Sequence, residues 1–204
     1  MGIIVTRAGA KARKLDRSVV AVESDLQRYI AQNPECLPVE EIQDDLRLLI
    51  VAREFPTESG PIYALGIDQE GGIYVVETKL YKNPDKRKVI AQVLDYGAAL
   101  WQDNGQSVES FVESIDRAIQ KTFSVSLELK TQEFFDLDEE DAHQLYGPLA
   151  ENLMAGRLRF VVLMDQLDDR LRNLISFVNS NRKFTVYGVE LDFYKFDEYT
   201  IVIP

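Results

Sequence analysis

Residues 62–80 limit the folds open to this chain more than any other stretch. Two runs rich in β-branched and aromatic side chains, 63–68 and 73–80, flank the turn-forming Asp-Gln-Glu-Gly-Gly, a pattern that predicts an antiparallel hairpin. Strand side chains alternate, so Val75, Glu77 and Lys79 share one face and Tyr74, Val76 and Thr78 the other. Asp68 ends the first strand, and the hairpin is expected to carry it alongside Glu77. Two carboxylates and an ammonium at one spot call for a positive partner between the acids, and a hard divalent cation would serve. The plain alternative for the same charges is a solvated hairpin face, where a Glu/Lys pair contributes little.

Composition narrows the chemistry. At 204 residues the length suits one domain with an ample core, and 46% apolar with 28% charged residues is ordinary for a water-soluble protein. One cysteine, Cys36, excludes an internal disulfide or a cysteine-rich zinc site, and one histidine, His143, leaves little room for imidazole ligation or a Ser/His pair. Any metal would be held by oxygen. No apolar run reaches membrane-spanning length and no signal-peptide pattern opens the chain, so a cytoplasmic protein is expected. The net charge of −11 argues against a broad phosphate-binding surface. Local ones survive: Arg7, Lys11, Arg13, Lys14 and Arg17 near the start, and Lys79, Lys82, Lys86, Arg87 and Lys88 after the hairpin.

Taken in order, the chain starts with a short β-like run, Ile3-Ile4-Val5, in a basic arm. Residues 18–33 predict a helix with the stripe Val19, Val22, Leu26, Tyr29 and Ile30, ended by Asn33-Pro34. Glu23 falls on or beside that stripe; there it either needs a partner or reaches water at the stripe's edge. A short acidic helix or turn follows, then a first strand at 46–55 and the hairpin. Asn83-Pro84 reads as a helix start, with the helix running to about Trp101 on the stripe Val89, Val93, Tyr96 and Leu100. Gln92 and Tyr96 stand one turn apart, side by side. Residues 103–156 form a helical insertion: helix at 108–121, a possible edge strand at 123–129, helix at 138–154. The acidic run 136–141 suits a helix N-terminus. A buried strand at 158–164, a helix at 167–181, a strand at 183–193 and a last strand at 199–203 complete the reading.

The order helix, three strands, helix, strand, with Glu23 in the first helix, Asp68 and Glu77-Thr78-Lys79 on the hairpin and Gln92-x-x-x-Tyr96 on the next helix, resembles the PD-(D/E)XK nuclease superfamily, nearest to its RecB-type and Holliday-junction-resolvase-like domains. The likeness covers residues 18–101. Ile67 stands where the name-giving proline would be, and the first-helix histidine of some RecB-type domains is missing, leaving Glu23 at that place. The resemblance implies a single α/β domain, with a restriction-endonuclease-like αβββαβ core and a mixed sheet flanked by helices. It also implies an Mg²⁺-dependent deoxyribonuclease of repair, recombination or defence, with Mn²⁺ able to substitute. Asp68, Glu77, the Thr78 carbonyl and Glu23 would hold the metal. Lys79 would orient or deprotonate water, Gln92 would hold Lys79 or that water, and Tyr96 would touch the DNA. Lys82, Lys86 and Arg87 would contact phosphates. A homodimer would suit cutting two strands, and the chain fits the nuclease part of a longer protein. The competing reading is a nuclease-fold module without turnover that binds nucleic acid or a protein partner.

Overall fold

A computed structural model describes residues 2–6, 11–83, 88–104, 108–180 and 184–204. In order they form β1 (Ile3–Val5), β2 (Arg13–Leu15), β3 (Arg17–Ser18), α1 (Glu23–Gln32), β4 (Leu48–Phe55), β5 (Ile62–Asp68), β6 (Ile73–Lys79), α2 (Lys88–Asn104), α3 (Val108–Phe123), α4 (Leu127–Phe135), α5 (Glu139–Gln144), α6 (Tyr146–Met154), β7 (Leu158–Met164), α7 (Asp169–Asn179), β8 (Thr185–Glu190), β9 (Asp192–Phe196) and β10 (Tyr199–Ile203), with single 3₁₀ turns at Pro34–Cys36 and Val39–Glu41.

The frame is a five-stranded mixed sheet of order β4-β5-β6-β7-β8. β4, β5 and β6 are antiparallel neighbours, whereas β6–β7 and β7–β8 run parallel. Each parallel step needs a crossover, supplied by the helices between β6 and β7 and by α7 between β7 and β8. β5 and β7 are almost wholly buried, as their near-continuous apolar runs require. Alternation splits the core in two. Ile73, Val75, Leu65 and Ile67 pack on one face with Val89, Val93 and Leu100 of α2 and with Phe111, Ile115 and Ile119 of α3. Tyr74, Val76, Val161 and Leu163 pack on the other with Leu26 and Ile30 of α1. Helix α2 approaches the sheet closely at Gly97, where a β-carbon would lie 2.5 Å from the Phe160 ring of β7.

Three local expectations change. The first helix begins at Glu23, not at residue 18: Val22 is extended (φ −138°, ψ 152°), Val19 and Val22 are exposed, and Arg17–Ser18 pairs with β9 instead. A β-branched run favours extended backbone, and here it has a strand to join. Residues 127–135 are helical, not an edge strand, because Ser126 caps the helix by accepting a bond from the Leu129 amide. The expected strand at 183–193 breaks in two, β8 staying in the main sheet while β9 joins β3 and β10 in a separate three-stranded sheet. The helix start expected at Asn83-Pro84 falls largely outside the described residues, as do Arg7, Lys86 and Arg87.

Gly97→Ala should lower stability by about 1–3 kcal/mol through overpacking against Phe160, read as a lowered denaturation midpoint with an unchanged m-value.

Candidate functional site

The five-residue turn of the central hairpin is built around Asp68. Its amide donates to the Gly72 carbonyl (3.1 Å), and the Gly71 amide donates back to its carbonyl (3.2 Å). Gly71 sits at φ 78°, a backbone region that L side chains rarely adopt, and a β-carbon there would also strike Pro148 and Leu149 of α6. The Asp68 carboxylate is fully buried and accepts from the amides of Glu70 (2.9 Å) and Gly72 (2.7 Å) and from the Tyr74 hydroxyl (3.0 Å). Arg159 of β7 completes the set as its ion-pair partner and also donates to the Tyr74 hydroxyl (2.6 Å). Burial, with Asp68 alongside, pushes the Tyr74 phenol far up, so it remains a donor. Both carboxylate oxygens of Asp68 are thereby occupied, and Gly72 leaves no room for a β-carbon beside them.

Glu77 lies at the other end of the hairpin. The paired register runs from Ile67↔Ile73 to Ala64↔Val76, so Glu77 comes level with Tyr63 rather than Asp68. Five residues separate those levels along β5, about 17 Å at strand rise. The expected convergence of Asp68 and Glu77 therefore does not occur. A turn of this length places the last residue of one strand opposite the first of the next, and residues further along recede from it with every pair.

Beyond Ala64↔Val76 the two strands part. β5 continues against β4 to Phe55↔Ile62, while β6 continues against β7 to Lys79↔Met164. Polar side chains gather in this fork. Glu77 is 4% exposed and its Oε1 accepts from the Thr78 amide (3.0 Å). Burial, opposed by the Thr78 amide and Lys79 and reinforced by Glu23 and Glu54, raises its carboxyl to about 7. Glu23, the first residue of α1, accepts from Lys79 Nζ (3.4 Å), from Asn83 Nδ2 (3.3 Å) and from the Leu80 amide (3.5 Å). Tyr63 donates to the Gln27 carbonyl of α1, and Arg53 of β4 lies over its ring. Burial raises the Tyr63 phenol to about 12. Lys82 is exposed and donates to the Ala21 carbonyl.

Of the expected site residues, the fold brings together Glu23, Glu77 and Lys79. Thr78 points into the opposite core, its buried hydroxyl without a hydrogen-bond partner. Gln92 donates to the Tyr96 hydroxyl (2.7 Å). The Tyr96 ring packs under Gly60, in the turn next to the fork end of β5, and the polar contact of Gln92 is to Tyr96 rather than Lys79. Sequence reasoning passed over Arg53, Glu54 and Tyr63 at the fork and Arg159 at the turn. Arg159 had a signal, being the one charge in the apolar run 158–164.

A magnesium site built on Asp68, Glu77, Thr78 and Glu23 does not fit these positions. The hairpin acids sit at opposite ends, and among the described residues no three or more acids, histidines or cysteines lie close enough to hold an ion.

No family model matches the chain, and no protein of curated function matches it. It is similar to the crystal structure of a repair endonuclease from Pyrococcus abyssi at 12% identity and a TM-score of 0.32, over 86% of this chain. The match spans 50% of that protein's length. No helix among the described residues is long and apolar enough to cross a membrane.

Asp68→Asn should cost about 1–3 kcal/mol, because it leaves the part-buried Arg159 without its counter-ion and weakens the charge-assisted bonds of the turn, and chemical denaturation would measure the loss. For Glu77 the sign is fixed by a raised carboxyl. The unfolded chain ionises near 4.5 while the folded one holds its proton until about 7, so its contribution is full below pH 4.5 and lost as pH rises through 7. Glu77→Gln should then match wild type in melting temperature near pH 4.5 and exceed it at pH 8, by an amount equivalent to roughly 1–3 kcal/mol.

Proposed function

We propose that this chain is a nuclease-like module that engages nucleic acid at the fork between β5 and β6 and does not hydrolyse it. One observation carries the absence of turnover: β5 presents a tyrosine, Tyr63, at the level of Glu77, while its carboxylate, Asp68, is about 17 Å away and fully engaged. Lys79, the residue expected to handle water, is instead paired with Glu23. The nucleic-acid half of the reading rests on the sequence resemblance of residues 18–101 and on the exposed cation Lys82 just after β6. It is also supported by the element order, a helix, three antiparallel strands, a helix and a parallel strand.

A second reading, metal-assisted deoxyribonuclease activity, has its own observation in favour. Glu23 and Glu54 both act on Glu77, whose carboxyl is raised first by burial and then by these two neighbours. Glu54 also holds a left-handed φ of 51°, a conformation that costs a non-glycine residue about 1 kcal/mol. A carboxylate kept buried against like charges is what a divalent ion would stabilise.

The two readings part in one experiment. Labelled single-stranded, duplex and branched DNA is incubated with the protein in Mg²⁺ or Mn²⁺, then with chelator, and binding is followed by mobility shift. Salt-sensitive binding without cleavage, weakened about tenfold in Lys82→Glu, is expected. Chelator-sensitive cleavage that disappears in both Glu77→Gln and Lys79→Ala would establish the second reading instead.

A further inference from the structure

Strand β4 forms one edge of the main sheet and is paired on one side alone, with β5. Among the described residues, no bond fills the outward backbone groups of Leu48–Phe55. This edge is the floor of a groove of about 1340 Å³ that runs its whole length. One wall carries Ile30 of α1 and Leu37, and the other carries Ala118 of α3 and Phe134 of α4. The walls differ in charge. Arg117, Lys121 and Lys130 stand on the α3 and α4 side, with Arg53 on the strand and Arg47 just before it. Among described residues, none of Arg47, Arg53, Arg117 or Lys121 has a carboxylate within 4.0 Å, Arg47 resting over the Phe134 ring and Lys130 over Phe123. The groove thus holds five cations against three acids, Glu40, Glu54 and Asp103, in a chain of net charge −11.

We infer that the β4 edge is a docking site for an extended acidic peptide segment of a partner protein, added as a sixth strand. An open edge satisfies its backbone by pairing with another strand, and alternate side chains of that strand then enter the two walls. Here alternation matches the walls: apolar residues toward Ile30 and Leu37, acidic ones toward Arg117, Lys121 and Lys130. A sugar–phosphate chain meets the cations but offers no ladder of amide donors and acceptors and leaves the apolar wall without a counterpart. The register shift between Ile50 and Ala52 and the left-handed Glu54 bend the far half of β4, so pairing centres on Leu48–Ile50. The groove shares Arg53, Glu54 and Tyr63 with the fork, but Glu77 and Lys79 lie outside it, and the variants below lie on α3, away from the fork.

The test is fluorescence anisotropy of the full chain with the labelled peptide Val-Glu-Val-Glu-Val-Glu-Val. Binding is expected, weakened at least about tenfold when Val and Glu are regrouped into blocks and when alternate peptide amides are N-methylated. The double variant R117E/K121E, whose sites are exposed on a helix, should lose binding to a similar degree while keeping the circular dichroism of wild type. No peptide binding would overturn the proposal. So would binding indifferent to N-methylation, or a twelve-nucleotide single strand that binds in place of the peptide and is lost in R117E/K121E. A solution dimer dissolved by R117E/K121E, with no peptide bound, would assign the edge to a second copy and equally overturn it.

Discussion

The ion pair between the fully buried Asp68 and the part-buried Arg159 organises the molecule's centre. Isolated, the Asp68 charge would be expelled from the sheet interior, since removing an ion from water costs several kcal/mol. Here the cost is offset because every lone pair of Asp68 has a donor: two turn amides, the Tyr74 hydroxyl and the guanidinium. The contact spans β5, β6 and β7, so it fixes the hairpin turn against the first parallel neighbour. Asn152 of α6 reaches the same turn, donating to the Gly71 carbonyl (2.8 Å), and ties the helical insertion to it. What looks in sequence like half of a metal site is the pin that sets the register of three strands.

That pin has a consequence at the far end of the sheet. With the turn closed at Asp68, the positions along β5 are fixed, and the residue delivered to the parting of the strands is Tyr63. Its ring lies under Arg53 and its hydroxyl binds α1, which fills the place where a second acid would stand. The fork sets a buried acid, Glu77, near a lysine, Lys79, within a hydrogen-bonded cluster. Glu23 illustrates this: by accepting from Lys79, Asn83 and the Leu80 amide it docks α1 onto the end of β6.

Much of the frame was legible. The hairpin, the stripe of α2 on Val89, Val93, Tyr96 and Leu100, and the buried strand β7 follow from period and apolar run length, and these signals are local. What sequence could not supply was non-local. Alternation within β6 correctly put Glu77 and Lys79 on one face, but the partner of each depends on where the turn closes, and a turn of one length places Asp68 opposite Gly72 while another would move every pair. The splitting of residues 183–193 between two sheets likewise depends on β3, more than 170 positions earlier in the chain. The start of α1 was misplaced for the same reason: Val19 and Val22 have helical spacing, and it was a distant strand that held Arg17–Ser18 extended.

The edge strand and the fork pose opposite problems with one solution each. At the fork, the carboxylates of Glu23 and Glu77 and the Tyr63 hydroxyl find partners within the chain, and burial raises the Glu77 carboxyl. Along β4 the backbone is the unsatisfied element, and among the described residues nothing pairs with the outward groups. Natural sheets usually blunt such an edge with charge, a bulge or a short strand. β4 has the bulge in its far half, and its near half, Leu48–Ile50, is half-buried and apolar. Arg47 and Arg53 bracket that segment. Same-sign charge at the two ends of an apolar edge repels another copy laid antiparallel on it and attracts an acidic strand, so the device that guards against self-association is also the one that selects a partner.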